Sequence, residues 1–314
     1  MESTITIEKS TFFSSKNKPS EIKGKLIVGA TLAAVLLIMA ILFIIIGIIV
    51  YNGWSRFSWE FITAFPTNGM TEGGILPALI GTFILVVVMS IAAVPFGTIT
   101  ALYLTEYAKE NSKFAAAVRF SIRTLAVVPS IIFGLFGLGF FIQFVGTGMD
   151  TAFNAGKLHW GQPNILWASL TMALLTLPVI IVSVEEALKT VPRELREASL
   201  ALGATKWQTI RKVVLPESIS GIMTGTILAV SRGVGEVAPI LFTGAAYYLA
   251  TLPKSVSDQF MNLGYHIYIM STQSSDVEKT MPIQFATTLT LLLLTISLNI
   301  VAVIIRSRIR KKKG

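Results

Sequence analysis

Residues 231–242 read SRGVGEVAPILF: an arginine, a glutamate, two glycines and a proline inside a run that is otherwise almost wholly apolar from 218 to 246. Arg232 and Glu236 stand four residues apart, so on a helix they share a face. A guanidinium donates forked hydrogen bonds that match a tetrahedral oxyanion. A carboxylate repels a fully deprotonated anion but accepts a hydrogen bond from one that keeps a proton. Arg232 would attract such an ion and Glu236 would select the protonated kind. Gly233 and Gly235 weaken the helix around the charges and allow close backbone approach, and Pro239 within the same helix would free the carbonyl of Gly235. A purely structural role also fits, because an arginine at a helix centre costs roughly 2.5–3.5 kcal/mol on insertion scales, part of which Glu236 would offset.

Other chemistry-bearing residues are sparser. His159 and His266 stand alone in stretches expected to be solvated outer loops, without metal-ligand spacing. Glu185 and Glu186 are adjacent, so they do not face each other on a helix; they suit an interface or loop support. Arg119 and Arg123 suit snorkelling anchors at the start of a span. With no cysteine, thiolate metal sites and disulfides are excluded. The pairs Gly24-Lys25 and Gly156-Lys157 lack the upstream glycine of a nucleotide-binding P-loop. No nucleophile–base or metal constellation appears, so the chain is expected to be no enzyme and to need no cofactor.

The elements that hold these residues are set by hydropathy. The 314 residues are 53% hydrophobic and 14% charged, with mean hydropathy +0.70; a soluble domain carries about a quarter charged residues. Six runs reach the roughly 20 residues needed to cross hydrocarbon: 26–51, 75–104, 115–145, 165–188, 219–246 and 285–305. The expected fold is all-α, a six-span membrane protein with a polar tail over 1–24 and a membrane domain over 25–314. The first run is far longer than a signal-peptide core, so it stays as an anchor. With both termini inside, inner segments hold 21 Lys/Arg and outer ones four, as the positive-inside rule wants. The net charge of +9 is thus a membrane signature, and the tail RSRIRKKKG an anchor on anionic lipid. Trp54, Phe57, Phe61 and Phe65 suit a short helix in the outer interface. Pro95, Pro129, Pro178 and Pro239 fall within four consecutive spans, with Gly134, Gly137 and Gly139 after the second. Breaks of that kind survive where neighbours or a water-lined cavity satisfy the freed groups, which suggests a pathway.

Residues 190–216, TVPRELREASLALGATKWQTIRKVVLP, form the longest inner segment and suggest two short helices. The first has Pro192 in its first turn and sets Leu195, Ala198, Ser199 and Leu202 on one face. Gly203 ends it in a left-handed conformation. Thr205 and Gln208 make a capping box for the second, which turns Trp207, Ile210 and Val214 to one side and stops at Pro216. Such a device on the inner end of a bundle suits a handle for another protein.

The spacing E-A-S-x3-G-x9-V-x-L-P, from Glu197 to Pro216, resembles the EAA loop of ABC importer permeases, E-A-A-x3-G-x9-I-x-L-P; Ser199 and Val213 are mild departures. GGILPALIGT (73–82), LAVVPSIIFGLFGL (125–138) and GEVAPILFTG (235–244) resemble the PstA-type subunits of phosphate importers. The resemblance covers about 70–305. It implies a type I permease bundle that carries phosphate across the cytoplasmic (inner) membrane. The implied partners are a PstC-like sister permease, a PstB-like ATP-binding subunit and an extracytoplasmic PstS-like phosphate-binding protein. It implies that 190–216 is the coupling loop, with Glu197, Ala198, Gly203, Thr205, Trp207, Leu215 and Pro216 at the ATPase contact. It also places Arg232, Gly233, Gly235 and Glu236 on the substrate path. Permeases for molybdate, sulfate or phosphonate share the loop motif. A gradient-driven transporter or channel would explain the spans but not the loop.

Overall fold

The structure, a computed structural model, describes residues 18–109, 111–274 and 276–311. Most of the expected tail, residues 1–17, lies outside the described residues, as do Lys312, Lys313 and Gly314. The chain divides into two units, 1–51 and 52–314. The first is dominated by helix α1 (Lys18–Gly53), apolar on every face from Leu26 to Tyr51. Uniform apolarity over that length is what a membrane span requires.

The second unit contains α2 (Trp59–Thr63), α3 (Leu76–Leu102), α4 (Lys113–Leu125), α5 (Ser130–Phe136), α6 (Thr147–Phe153), α7 (Ile165–Lys189), α8 (Arg193–Ala201), α9 (Lys206–Thr209), α10 (Leu215–Val234), α11 (Leu263–Thr272) and α12 (Val277–Lys311). Three π-type stretches, Tyr103–Tyr107, Gly137–Gly146 and Ile210–Val214, continue α3, join α5 to α6 and join α9 to α10. A two-residue antiparallel ribbon, Pro66–Thr67 with Glu72–Gly73, lies outside the helices. Six helical stretches are long and apolar enough to cross a membrane: Lys23–Gly53, Leu76–Tyr107, Ser130–Phe153, Ile165–Lys189, Lys206–Val234 and Val277–Ile309.

Within the second unit α7 is the central span, with α3 and α10 packed along it. Small residues make this possible, as is usual where close packing and not hydrophobicity drives helices together in lipid. A Cβ on Gly97 of α3 would meet Ile180, and one on Gly221 or Gly225 of α10 would meet Ala187 or Ser183. Leu85, Met89, Met172, Ile180, Val184 and Leu188 fill the core between them. A second core gathers Phe61, Met70, Ile75, Met261, Leu263 and Ile283.

Two spans differ from the sequence expectation. The run 115–145 is broken: α4 ends at Leu125, and a new helix starts at Ser130 after Pro129, whose ψ of 138° is extended. Proline disfavours helical geometry at the residue before it, so Pro129 begins a helix and does not kink one. The fifth span runs from Lys206 to Val234 instead of 219–246. Pro216 sits in the first turn of α10, where its missing N–H is harmless; it does not stop the preceding helix. At the other end, a helix continued to Pro239 would clash with the Gly235 carbonyl, and the chain leaves the helix at Gly235. Of the four prolines, Pro95 and Pro178 alone lie inside spans.

The aromatic stretch from Trp54 to Phe65 also differs. Its helix is the short α2, and Phe61 is buried in the second core, while Trp54 stacks on Phe57 and stays exposed. His266 is buried on α11, 2% exposed, not solvated as expected.

Candidate functional site

The charged turn closes α10. Gly235 N–H donates to the Arg232 carbonyl at 3.3 Å and Glu236 N–H to the Gly233 carbonyl at 3.2 Å, a tightened last turn. Arg232 therefore stands at the C-terminal end of the helix, not near the middle of a span as the sequence suggested. A cation there meets the negative end of the helix dipole. Arg232 Nε lies 3.8 Å from Glu236 Oε1, and the two side chains are 65% and 25% exposed. At that distance the contact is electrostatic and not a hydrogen bond. Among the described residues no hydrogen bond engages the guanidinium, so its donors remain open to another partner.

The glycines around the pair have distinct causes. A Cβ on Gly233 would lie 3.0 Å from Met89 and 3.2 Å from Thr176, so Gly233 seats α10 on α3 and α7. Gly235 meets no such limit and is exposed; its bare backbone lies open beside Arg232. Ser231 fixes the helix end by hydrogen bonds to the Ile227 carbonyl and to Asn299 of α12. Beyond Glu236 the chain turns back on itself, with Thr243 Oγ1 donating to the Pro239 carbonyl at 3.0 Å. A Cβ on Gly134 of α5 would be 2.9 Å from that carbonyl, and one on Gly137 would meet Thr171 and Thr243. Both glycines serve close packing; Gly139 has open space around it.

The 190–216 loop folds largely as its sequence suggests. Pro192 is the N-cap of α8, one position before the helix. Gly203 has φ +83°, and its N–H donates to the Leu200 carbonyl while Ala204 N–H reaches Ser199. Thr205 and Gln208 form both bonds of the capping box. Ser199 and Thr209 share a 2.9 Å hydroxyl bond that holds α8 against α9. Ile210 and Val214 are buried, whereas Trp207 turns outward with Leu195, Leu200 and Leu202. Glu197, Ala198, Gly203 and Thr205 are exposed; Leu215 and Pro216 are half-buried at the root of α10.

Sequence reasoning missed the anchors of this loop. Arg196 on α8 bonds Glu106 Oε1 at 3.0 Å and the Leu188 and Val191 carbonyls at 2.8 and 2.5 Å. Arg119 is not a snorkelling anchor: it bonds Glu185 at 3.2 Å and the Leu104 carbonyl at 2.8 Å, tying α4 to α7 and to the end of α3. Glu185, 8% exposed, also meets Lys189 at 3.1 Å; its partners lie on α4 and α7 and not in the 190–216 loop. A cleft of about 620 Å³ beside these pairs is lined by Glu106, Lys109, Arg119, Lys189, Arg193 and Arg196 among others. The long sequence separations of these contacts left no periodic signal to find them by. Asp150 was missed too, although its partners lie only 9–11 residues further on. It is 2% exposed and accepts from the backbone N–H groups of His159, Trp160 and Gly161 at 2.7–2.8 Å. His159 is exposed, and no group of three or more candidate metal ligands occurs among the described residues.

The model of the binding-protein-dependent transport system inner membrane component family matches residues 93–311. The chain belongs to this family. Among its relatives, the probable ABC transporter permease YqgI of Bacillus subtilis is 32% identical over 81% of this chain and 85% of that one. The phosphate transport system permease PstA of Haemophilus influenzae is 32% identical over 78% of this chain and 80% of its own length. PstA of Mycobacterium leprae is 40% identical, and there the chain spans 50% of the relative. A bacterial alginate ABC transporter in complex with its periplasmic protein shares the fold, with a TM-score of 0.64 and 17% identity over 90% of this chain and 94% of that one. As an inner membrane component the chain crosses the membrane several times. It is a transport subunit and not a catalyst of covalent chemistry.

Proposed function

We propose that this chain is the PstA-like half of the translocation path of an ATP-driven phosphate importer. It pairs with a PstC-like sister permease. Its loop 190–216 docks on a separate PstB-like ATP-hydrolysing subunit, and its outer face receives phosphate from a PstS-like binding protein. The single observation that carries the reading is the loop: two short helices with Trp207, Leu200 and Leu202 outward, continuous with the helix that carries Arg232 in its last turn. Arg232 and Glu236 then meet the ion. The guanidinium attracts phosphate across a low-dielectric barrier, and the carboxylate accepts from its P–OH, a bond that fully ionised sulfate cannot supply. Both termini face the cytoplasm, supported by the excess of Lys/Arg in 1–25, 105–123, 188–217 and 306–313. The permease domain spans 25–314.

Crosslinking tests the docking. The chain has no cysteine, so Thr205→Cys or Trp207→Cys gives it a single reactive thiol. In membranes carrying the whole transporter, either thiol crosslinks to an ATP-binding chain. Exclusive crosslinks to other proteins, or none, would contradict the importer reading.

A further inference from the structure

Two joints connect the loop 190–216 to the spans, and they differ in kind. On one side α9 runs through the π stretch Ile210–Val214 into α10 without a break, so displacement of α9 is displacement of the helix bearing Arg232. On the other side α8 follows α7 through Thr190–Pro192, and there the connection is made by one side chain. Arg196 donates to Leu188 and Val191, carbonyls beyond or at the end of α7, and to Pro192 at 3.4 Å. Helix ends leave such carbonyls without helical partners, and a cation is favoured there. The same guanidinium bonds Glu106, which the π stretch Tyr103–Tyr107 places at the inner end of α3. The pair is little exposed, 19% and 9% by side chain, and so is weakly screened by water and salt. The Ser199–Thr209 bond and the capping box keep α8 and α9 as one piece.

We propose that Arg196, through Glu106, is the positioning residue that makes α3 and α7 follow the loop when it is pulled. Without it the pull reaches α10 alone, and the bundle no longer opens as a unit. The inference rests on the loop being gripped by an ATP-hydrolysing partner.

The test uses the complete transporter, with both permeases, ATP-hydrolysing chain and binding protein, in proteoliposomes, measuring phosphate uptake and ATP hydrolysis together. Glu106→Gln, which keeps the shape and removes the charge, should leave hydrolysis within about twofold of wild type and lower uptake per ATP about tenfold, roughly 1.4 kcal/mol of coupling. Arg196→Ala should act likewise, and Glu106→Ala with Arg196→Ala should be no worse than the worse single change, because both break one joint. Hydrolysis and uptake falling in parallel, or losses that multiply in the double variant, would overturn the proposal. If wild-type vesicles took up phosphate without hydrolysing ATP, the importer reading itself would fail, an outcome visible before any variant is compared.

Discussion

A guanidinium left 65% exposed in the last turn of an apolar helix, and not hydrogen-bonded to Glu236, has donors to offer a further partner. In the proposed importer an anion passing that point is such a partner. Glu236→Gln should therefore keep phosphate uptake within about an order of magnitude while letting sulfate compete, since an amide can donate where the carboxylate only accepted. Competition assays with unlabelled sulfate measure it, and unaltered exclusion of sulfate would remove Glu236 from selection. Two buried groups outside this turn carry their own predictions. Burial pushes the His266 imidazole down to about 4. The folded chain then binds fewer protons than the unfolded one between that value and the ordinary 6.5. Stability is full above about pH 6.5 and falls by roughly 3 kcal/mol as pH drops toward 4; His266→Gln should flatten that slope in thermal unfolding. Asp150 holds three backbone N–H groups of the 159–161 segment. Removing a buried hydrogen-bonded carboxylate costs about 1–3 kcal/mol, so Asp150→Ala should lower the unfolding temperature and open the loop at Lys157 to trypsin.

Elements were legible where local chemistry decides them. The capping box of Thr205 and Gln208 and the left-handed Gly203 need no distant partner, and they appear as the sequence implies. The ends of α4 and α10 needed more. Hydropathy runs straight across Pro129 and Gly235, because a broken backbone inside a membrane protein is walled by apolar side chains all the same. Glu106, Arg119, Arg196 and Asp150 were invisible for another reason: each is defined by a partner brought near by folding. Gly203→Val tests the loop as an element. A β-branched residue at φ +83° is strained by about 1–2 kcal/mol, enough to splay α8 from α9. ATP hydrolysis stimulated by the binding protein should fall, while Gly139→Ala, with open space around it, should leave it unchanged.

At the scale of the whole molecule, composition alone separates a membrane protein from a soluble one. The charge asymmetry supports an orientation, and the shared loop spacing supports a motor on another chain. What the helices add is continuity: the loop 190–216 runs into one helical stretch from Lys206 to Val234, which carries Arg232 in its last turn beside Glu236; the proposed function makes these a handle, a rod and a charged tip. The claim that this tip handles the cargo is tested most directly by phosphate uptake into proteoliposomes holding the complete transporter with Arg232→Ala, ATP hydrolysis being followed in the same vesicles. The account predicts uptake reduced at least about tenfold, the loss of roughly one charge-assisted contact of 1.5–3 kcal/mol, with hydrolysis continuing and Arg232→Lys recovering part of the transport. Uptake by Arg232→Ala equal to wild type would contradict it.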